Sequence, residues 1–165
     1  MSKTDLVTLI RENPEYGGVA QQGNAIFKGK MIWPSGRVVT LKPISVYLVS
    51  EYEDHVQAIA ILDKPFDRIA VSIRRNIKDN VYPVTSYPDG DVSMGVVYEG
   101  IATREPKGRV GFRHNAGSLE IYMIEVTFEL EFGRIKNKAM MDELGTPSSP
   151  GEKFTFKLSE GHFMF

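Results

Sequence analysis

The sequence predicts an all-β protein, a single antiparallel β-sandwich or flattened β-barrel of about 8–10 strands, with a short N-terminal helix in front. Three observations carry this expectation. From Ile124 to Phe132 apolar and polar residues alternate without a break, the period-two pattern of a strand with one buried face. Segments of the same kind recur along most of the chain, separated by turn residues at spacings too short for crossover helices, which favours antiparallel neighbours. Long helical periodicity is nearly absent, which argues against an α/β arrangement.

A chain of 165 residues suits one domain with a core of its own. We divide it into a lead-in over 1–23 and an all-β domain over 24–165. The lead-in contains a predicted helix from Asp5 to about Glu12, with Thr4 as N-cap, Leu6, Leu9 and Ile10 on one face, and Asn13-Pro14 as its stop. Gly17-Gly18 and Gly23 mark an irregular connection into the first strand.

Strands are expected at 25–33, 37–41, 44–50, 55–62, 68–75, 81–86, 92–103, 109–114, 119–132 and 153–165. Their separators carry turn chemistry: Pro34-Ser35-Gly36, Asp63-Lys64-Pro65, Pro88-Asp89-Gly90, Glu105-Pro106-Lys107-Gly108 and Asn115-Ala116-Gly117. Pro83 and Pro88 assign their segment to an edge or an irregular crossing. A turn over 115–118 sets Phe112 opposite Ile121, Val110 opposite Met123 and Arg113 opposite Glu120, so that apolar meets apolar and charge meets countercharge.

Beyond that hairpin the apolar parity changes, from Leu119, Ile121 and Met123 to Ile124, Val126, Phe128, Leu130 and Phe132. One extra residue resets the phase, which predicts a β-bulge near Met123 and Ile124. Lys138 to Leu144, followed by Gly145, reads as a helical turn, and 146–151 as an exposed loop. In the last strand Phe154, Phe156 and Leu158 alternate with polar residues until Gly161 breaks the pattern before Phe163 and Phe165.

Composition limits the function classes. With 20 basic and 21 acidic residues the formal charge is −1, which supplies no global field for nucleic acid or an anionic membrane. There is no cysteine, which excludes disulfides, thiolate ligands and a cysteine nucleophile. No apolar run approaches a membrane span, and the opening residues lack the apolar core and cleavage site of a secretory signal, so the expected location is cytoplasmic by default, with signal-independent export left open.

Chemical signatures are sparse. His55, His114 and His162 are the three histidines and none stands at metal-binding spacing from another, so no metal site and no cofactor are expected. Glu125, Glu129 and Glu131 form a row on one strand face, as a solvated sheet surface does. Basic residues gather as Arg68, Arg74, Arg75 and Lys78, and as Arg104, Lys107, Arg109 and Arg113, but a near-neutral chain argues against nucleic acid as partner. The nucleophile elbow, the phosphate-binding loop and the dinucleotide fingerprint are all missing.

Aromatic and basic side chains that a binding surface would use are Trp33, the sole tryptophan, with Tyr82, Tyr87, Tyr98, Arg109 and Arg113. Trp33 is weighed there against plain core packing. No catalytic residue is assigned. The expected function is a non-catalytic binding or interaction module for a protein, glycan or small molecule, with self-association as a homo-oligomer among its modes. Two alternatives stand beside it. One is a barrel carrying a small apolar ligand, if Phe27, Met31, Phe112, Phe128 and Phe156 fail to fill the interior. The other is a hydrolase or isomerase whose carboxylates and histidines converge only in space.

Overall fold

A computed structural model describes residues 25–52, 55–64, 67–75, 77–86, 90–115, 118–149 and 151–165. The lead-in over 1–23 and its expected helix lie outside the described residues, as does Tyr87. The fold is mostly β and sandwich-like. Its strands are β1 (Ile26–Ile32), β2 (Val38–Thr40), β3 (Pro43–Tyr52), β4 (His55–Leu62), β5 (Arg68–Arg74), β6 (Val81–Pro83), β7 (Thr85–Ser86), β8 (Val92–Tyr98), β9 (Ile101–Ala102), β10 (Arg104–Asn115), β11 (Ser118–Glu131) and β12 (Lys153–Met164). Among the described residues one α-helix, α1 (Lys138–Leu144), stands between β11 and β12, where the sequence placed a helical turn.

The first sheet, A, has the order β2-β1-β12-β11-β10-β6, and the second, B, the order β3-β4-β5-β8-β7, with β9 also on β8. Pairing is antiparallel except for the two residues of β7 against β8. The inner faces of both sheets contribute to one apolar cluster, in which Phe27, Met31, Phe112, Phe128 and Phe156 are all buried. These are the side chains whose failure to fill the interior would have suggested a ligand-carrying barrel.

Two of the ten expected strands are each divided. The 81–86 segment pairs with β10 as far as Pro83, at the edge of sheet A, then crosses at Val84 and joins β8 of sheet B. Pro83 has no N–H to offer a further ladder, which suits an edge and a crossing. The 92–103 segment turns at Glu99 and Gly100, both at positive φ, between the paired Tyr98 and Ile101. That is a two-residue hairpin of the kind that matches strand twist, hidden from sequence reasoning because Glu is a poor turn former at positive φ. Conversely, the turn expected at 105–108 lies within β10, as a pair of register irregularities opposite β11.

The predicted hairpin is present in the predicted register: Phe112 faces Ile121, Val110 faces Met123 and Arg113 faces Glu120. Its parity change is also real, with the extra residue at Glu125, whose φ is 52°. Ile124 and Glu125 both point away from the core, and Val126, Phe128 and Leu130 return to it. The neighbouring strand β12 does the same thing at Glu160, with φ of 56°: Ser159 and Glu160 both face outward between buried Leu158 and buried Gly161. Both bulges lie between the pairs Tyr122–His162 and Val126–Leu158, so β11 and β12 stay in step through them.

A left-handed non-glycine residue costs roughly 1–2 kcal/mol, and here the position is over-determined by its neighbours. β10 approaches the Glu125 bulge with Gly108 at φ of 120°, where a Cβ would stand 2.6 Å from the Glu125 carbonyl oxygen and 2.8 Å from Val126 Cα. Gly108→Ala is therefore expected to destabilise the fold by roughly 2 kcal/mol or more, whereas Glu125→Gly should leave stability unchanged or raise it by up to about 1 kcal/mol. Urea unfolding of the two variants checks the opposite signs. Equal losses in both would contradict the bulge geometry.

Candidate functional site

Strands β4 and β5 carry apolar residues on both faces. Val56, Ala58, Ala60 and Leu62 of β4, and Ile69, Val71 and Ile73 of β5, belong to the core cluster. Strand alternation then turns Ile59 and Ala70 to the outer face, yet they are only 8% and 7% exposed. Ile59, Ala70 and Gly95 are consecutive cross-strand neighbours on β4, β5 and β8. This row of one branched and two minimal side chains forms the floor of a cavity of about 560 Å³.

The cavity walls come from different elements. Arg68 and Val97 flank the floor on the next cross-strand row, and Gln57 flanks it on the other side. Thr103, Arg104, Glu105 and Pro106 form a further wall. Thr103 is anchored to β8, donating from both its N–H (2.8 Å) and its hydroxyl (3.0 Å) to the Val96 carbonyl. On the same edge of β8, β7 pairs with Ser93 and Met94. Two separate segments thus share this edge, and the groove opens at Gly95, where one gives way to the other.

Its size falls in the range of about 300–1,000 Å³ usual for small-molecule sites, with an apolar floor and a few polar groups at the rim. A cavity of about 180 Å³ beside Tyr98, Asp67 and Leu41 falls below it. Another of about 320 Å³ at the edge of β1 is lined by Lys30 and Glu160, which pair with each other at 3.2 Å.

The residues suggested by sequence lie elsewhere. Trp33 is 5% exposed, with its indole N–H donating to the Tyr98 hydroxyl at 2.9 Å and its ring edge-on to Phe156. Burial pushes the Tyr98 hydroxyl up to about 12. Over the Trp33 ring lies the Arg37 guanidinium, 5.0 Å from the centroid, and Arg37 pairs with Glu143 of α1. Ser35 also donates to Glu143 at 2.8 Å, and these two partners hold the Glu143 carboxyl below its ordinary range. Helix α1 thereby closes this end of the sandwich over the tryptophan. Tyr82 packs against Phe112 and donates to the Lys78 carbonyl, and Arg109 and Arg113 are exposed on β10, the latter 3.8 Å from Glu120. None of these five described residues lines the groove.

Acid–base groups do not assemble there either. Among the described residues His114 pairs with Asp79, which also accepts from the His114 backbone N–H at 3.1 Å. His114 is buried on the inner face of β10 and, among the described residues, its Nε2 has no hydrogen-bond partner; the pair fastens the 77–80 loop to sheet A. His162 lies 3.3 Å from Glu120 on the outer face of sheet A. Among the described residues no group of three or more histidines and carboxylates could hold a metal.

Asp67 is the one buried carboxylate among the described residues, at 2% exposure, and its role is local. It accepts from the backbone N–H groups of Glu99 (2.9 Å) and Gly100 (2.8 Å), clamping the hairpin that leads into β9 and so into the groove wall. Burial raises its carboxyl above the ordinary range, the Glu99 charge pushes the same way, and the two N–H bonds oppose them.

No protein-family model, no curated protein and no solved structure matches the chain.

The raised Asp67 carboxyl makes the native state bind the proton more readily than the unfolded chain. Its contribution is thus complete below the ordinary carboxylate range and is lost as pH rises through the elevated value. The stability advantage of the wild type over Asp67→Asn should shrink as pH rises through that window, measured by urea unfolding at a series of pH values. An advantage that grows with pH would contradict it.

Proposed function

We propose that the protein is a non-catalytic binding module whose ligand site is the outer groove of sheet B. The observation that supports this most is the apolar cross-strand row Ile59, Ala70 and Gly95, sunk below a polar rim on a face that strand alternation would normally give to solvent. A floor drawn from three hydrogen-bonded strands is rigid, so little ordering entropy opposes binding. Among the described lining residues Glu105 is the one carboxylate and no histidine joins it, which favours binding over acid–base catalysis.

Uptake of a neutral fluorescent probe, phenylnaphthylamine, tests this reading. The wild type should take up the probe saturably, and Ala70→Phe, which fills the groove from its floor, should reduce its affinity by at least about tenfold with circular dichroism and the urea midpoint preserved. Failure of the wild type to take up the probe, or unchanged uptake in a folded Ala70→Phe variant, would refute the assignment.

Self-association is a second reading, favoured by Ile44 at 63% and Val38 at 55% exposure on β3 and β2, the edge strands of the two sheets. Sedimentation at high concentration should then give a multiple of 18.5 kDa that Ile44→Lys returns to the monomer. A wild-type monomer throughout would remove this reading.

A further inference from the structure

The groove carries charge as well as apolar surface. Arg68 reaches it from β5 and Arg104 from the start of β10, and among the described residues neither is engaged in an ion pair or a side-chain hydrogen bond. Several cations elsewhere are paired, as Arg37 is with Glu143, Lys64 with Glu99, Arg74 with Asp91 at 2.6 Å and Arg113 with Glu120, while others on the surface, such as Lys28, Lys42 and Arg109, have no ion pair among the described residues. Among the described lining residues the single acidic side chain is Glu105, which leaves a formal surplus of one positive charge over these residues.

Guanidinium groups suit this task. They are planar, permanently charged and matched to carboxylate, phosphate and sulfonate oxygens, and two of them from different elements can address one anionic head. Beneath them Ile59, Ala70 and Gly95 present a surface that offers an anion nothing but accepts an apolar body.

We propose that the groove selects a small amphiphilic anion, with its apolar body on the Ile59–Ala70–Gly95 floor and its acidic head between Arg68 and Arg104. This deepens the binding-module reading and rests on it. The recognised chemistry is a single carboxylate, phosphate or sulfonate group on an apolar body.

The test compares two probes with the same ring system, anilinonaphthalene sulfonate and neutral phenylnaphthylamine, on the full-length wild type, Arg68→Gln, Arg104→Gln and, as a control on sheet A, Arg113→Gln. The anion should bind roughly tenfold tighter than the neutral probe, the advantage should diminish with added salt, and each groove variant should reduce it without altering uptake of the neutral probe. Arg113→Gln should behave as wild type. Equal affinity for both probes, or an anion preference untouched by both groove variants, would overturn the anion claim and leave the groove reading intact. Uptake of neither probe would refute both. Octanoate and octyl phosphate as competitors separate the head groups: displacement by either at lower concentration than neutral octanol requires sustains the claim, and displacement by octanol as effective as by both anions overturns it.

Discussion

The structure depends on a change of phase in two adjacent central strands of sheet A. A strand has one buried face only while its alternation holds, and β11 and β12 each change parity midway, at Glu125 and Glu160. Without an inserted residue, half of each strand would turn its apolar side chains to water, exposing either Phe156 and Leu158 or Phe163, and either Phe128 and Leu130 or Ile121. The left-handed bulges resolve this together, because they lie between the same two cross-strand pairs. β10 follows through Gly108 and β1 through the register shift between Lys28 and Lys30, so the adjustment runs across four strands. Bulges increase local twist and bend, which lets strands of 12 and 14 residues wrap one core.

Sheet B meets a different demand. Its central strands are shorter and carry an apolar row, Ile59, Ala70 and Gly95, among the polar residues of their outer face, and that face is partly covered where the chain returns from β9 into β10. The clamp of Asp67 on the Glu99–Gly100 hairpin fixes β9, Thr103 fixes the following residues to β8, and the wall made by 104–106 then has a defined position over the floor. The groove is thus a consequence of how one edge strand is shared by two partners, and its floor cannot move without disturbing the core beneath it. At the end of the sandwich α1 and Arg37 close over Trp33, so the same chain covers its largest aromatic and leaves an apolar row of small residues open.

Much of the fold was legible because period-two alternation is local. The register of the 110–123 hairpin followed from matched pairs, and the bulge from a break in parity that any folded form must accommodate. The division of 92–103 was not legible, since Glu99 adopts its positive φ only because Asp67, distant in sequence, supplies the acceptor. Nor was the site. Sequence reasoning looked to large aromatics, and these are what a core of this size consumes: Trp33 and Tyr98 hydrogen-bond to each other inside it. Arg68 and Arg104 stood in two separate basic clusters, and nothing local says that they share a groove. A signal was present in the near-continuous apolar runs 58–62 and 69–73, which mark strands covered on both sides rather than a solvated sheet face.

The central claim is that ligand meets the outer face of sheet B and not the aromatic and basic residues of sheet A. Amide chemical-shift mapping with anilinonaphthalene sulfonate tests it most directly. The account predicts perturbations concentrated at Ile59, Ala70, Gly95 and Thr103; perturbations centred instead on Tyr82, Arg109 and Arg113 would contradict it.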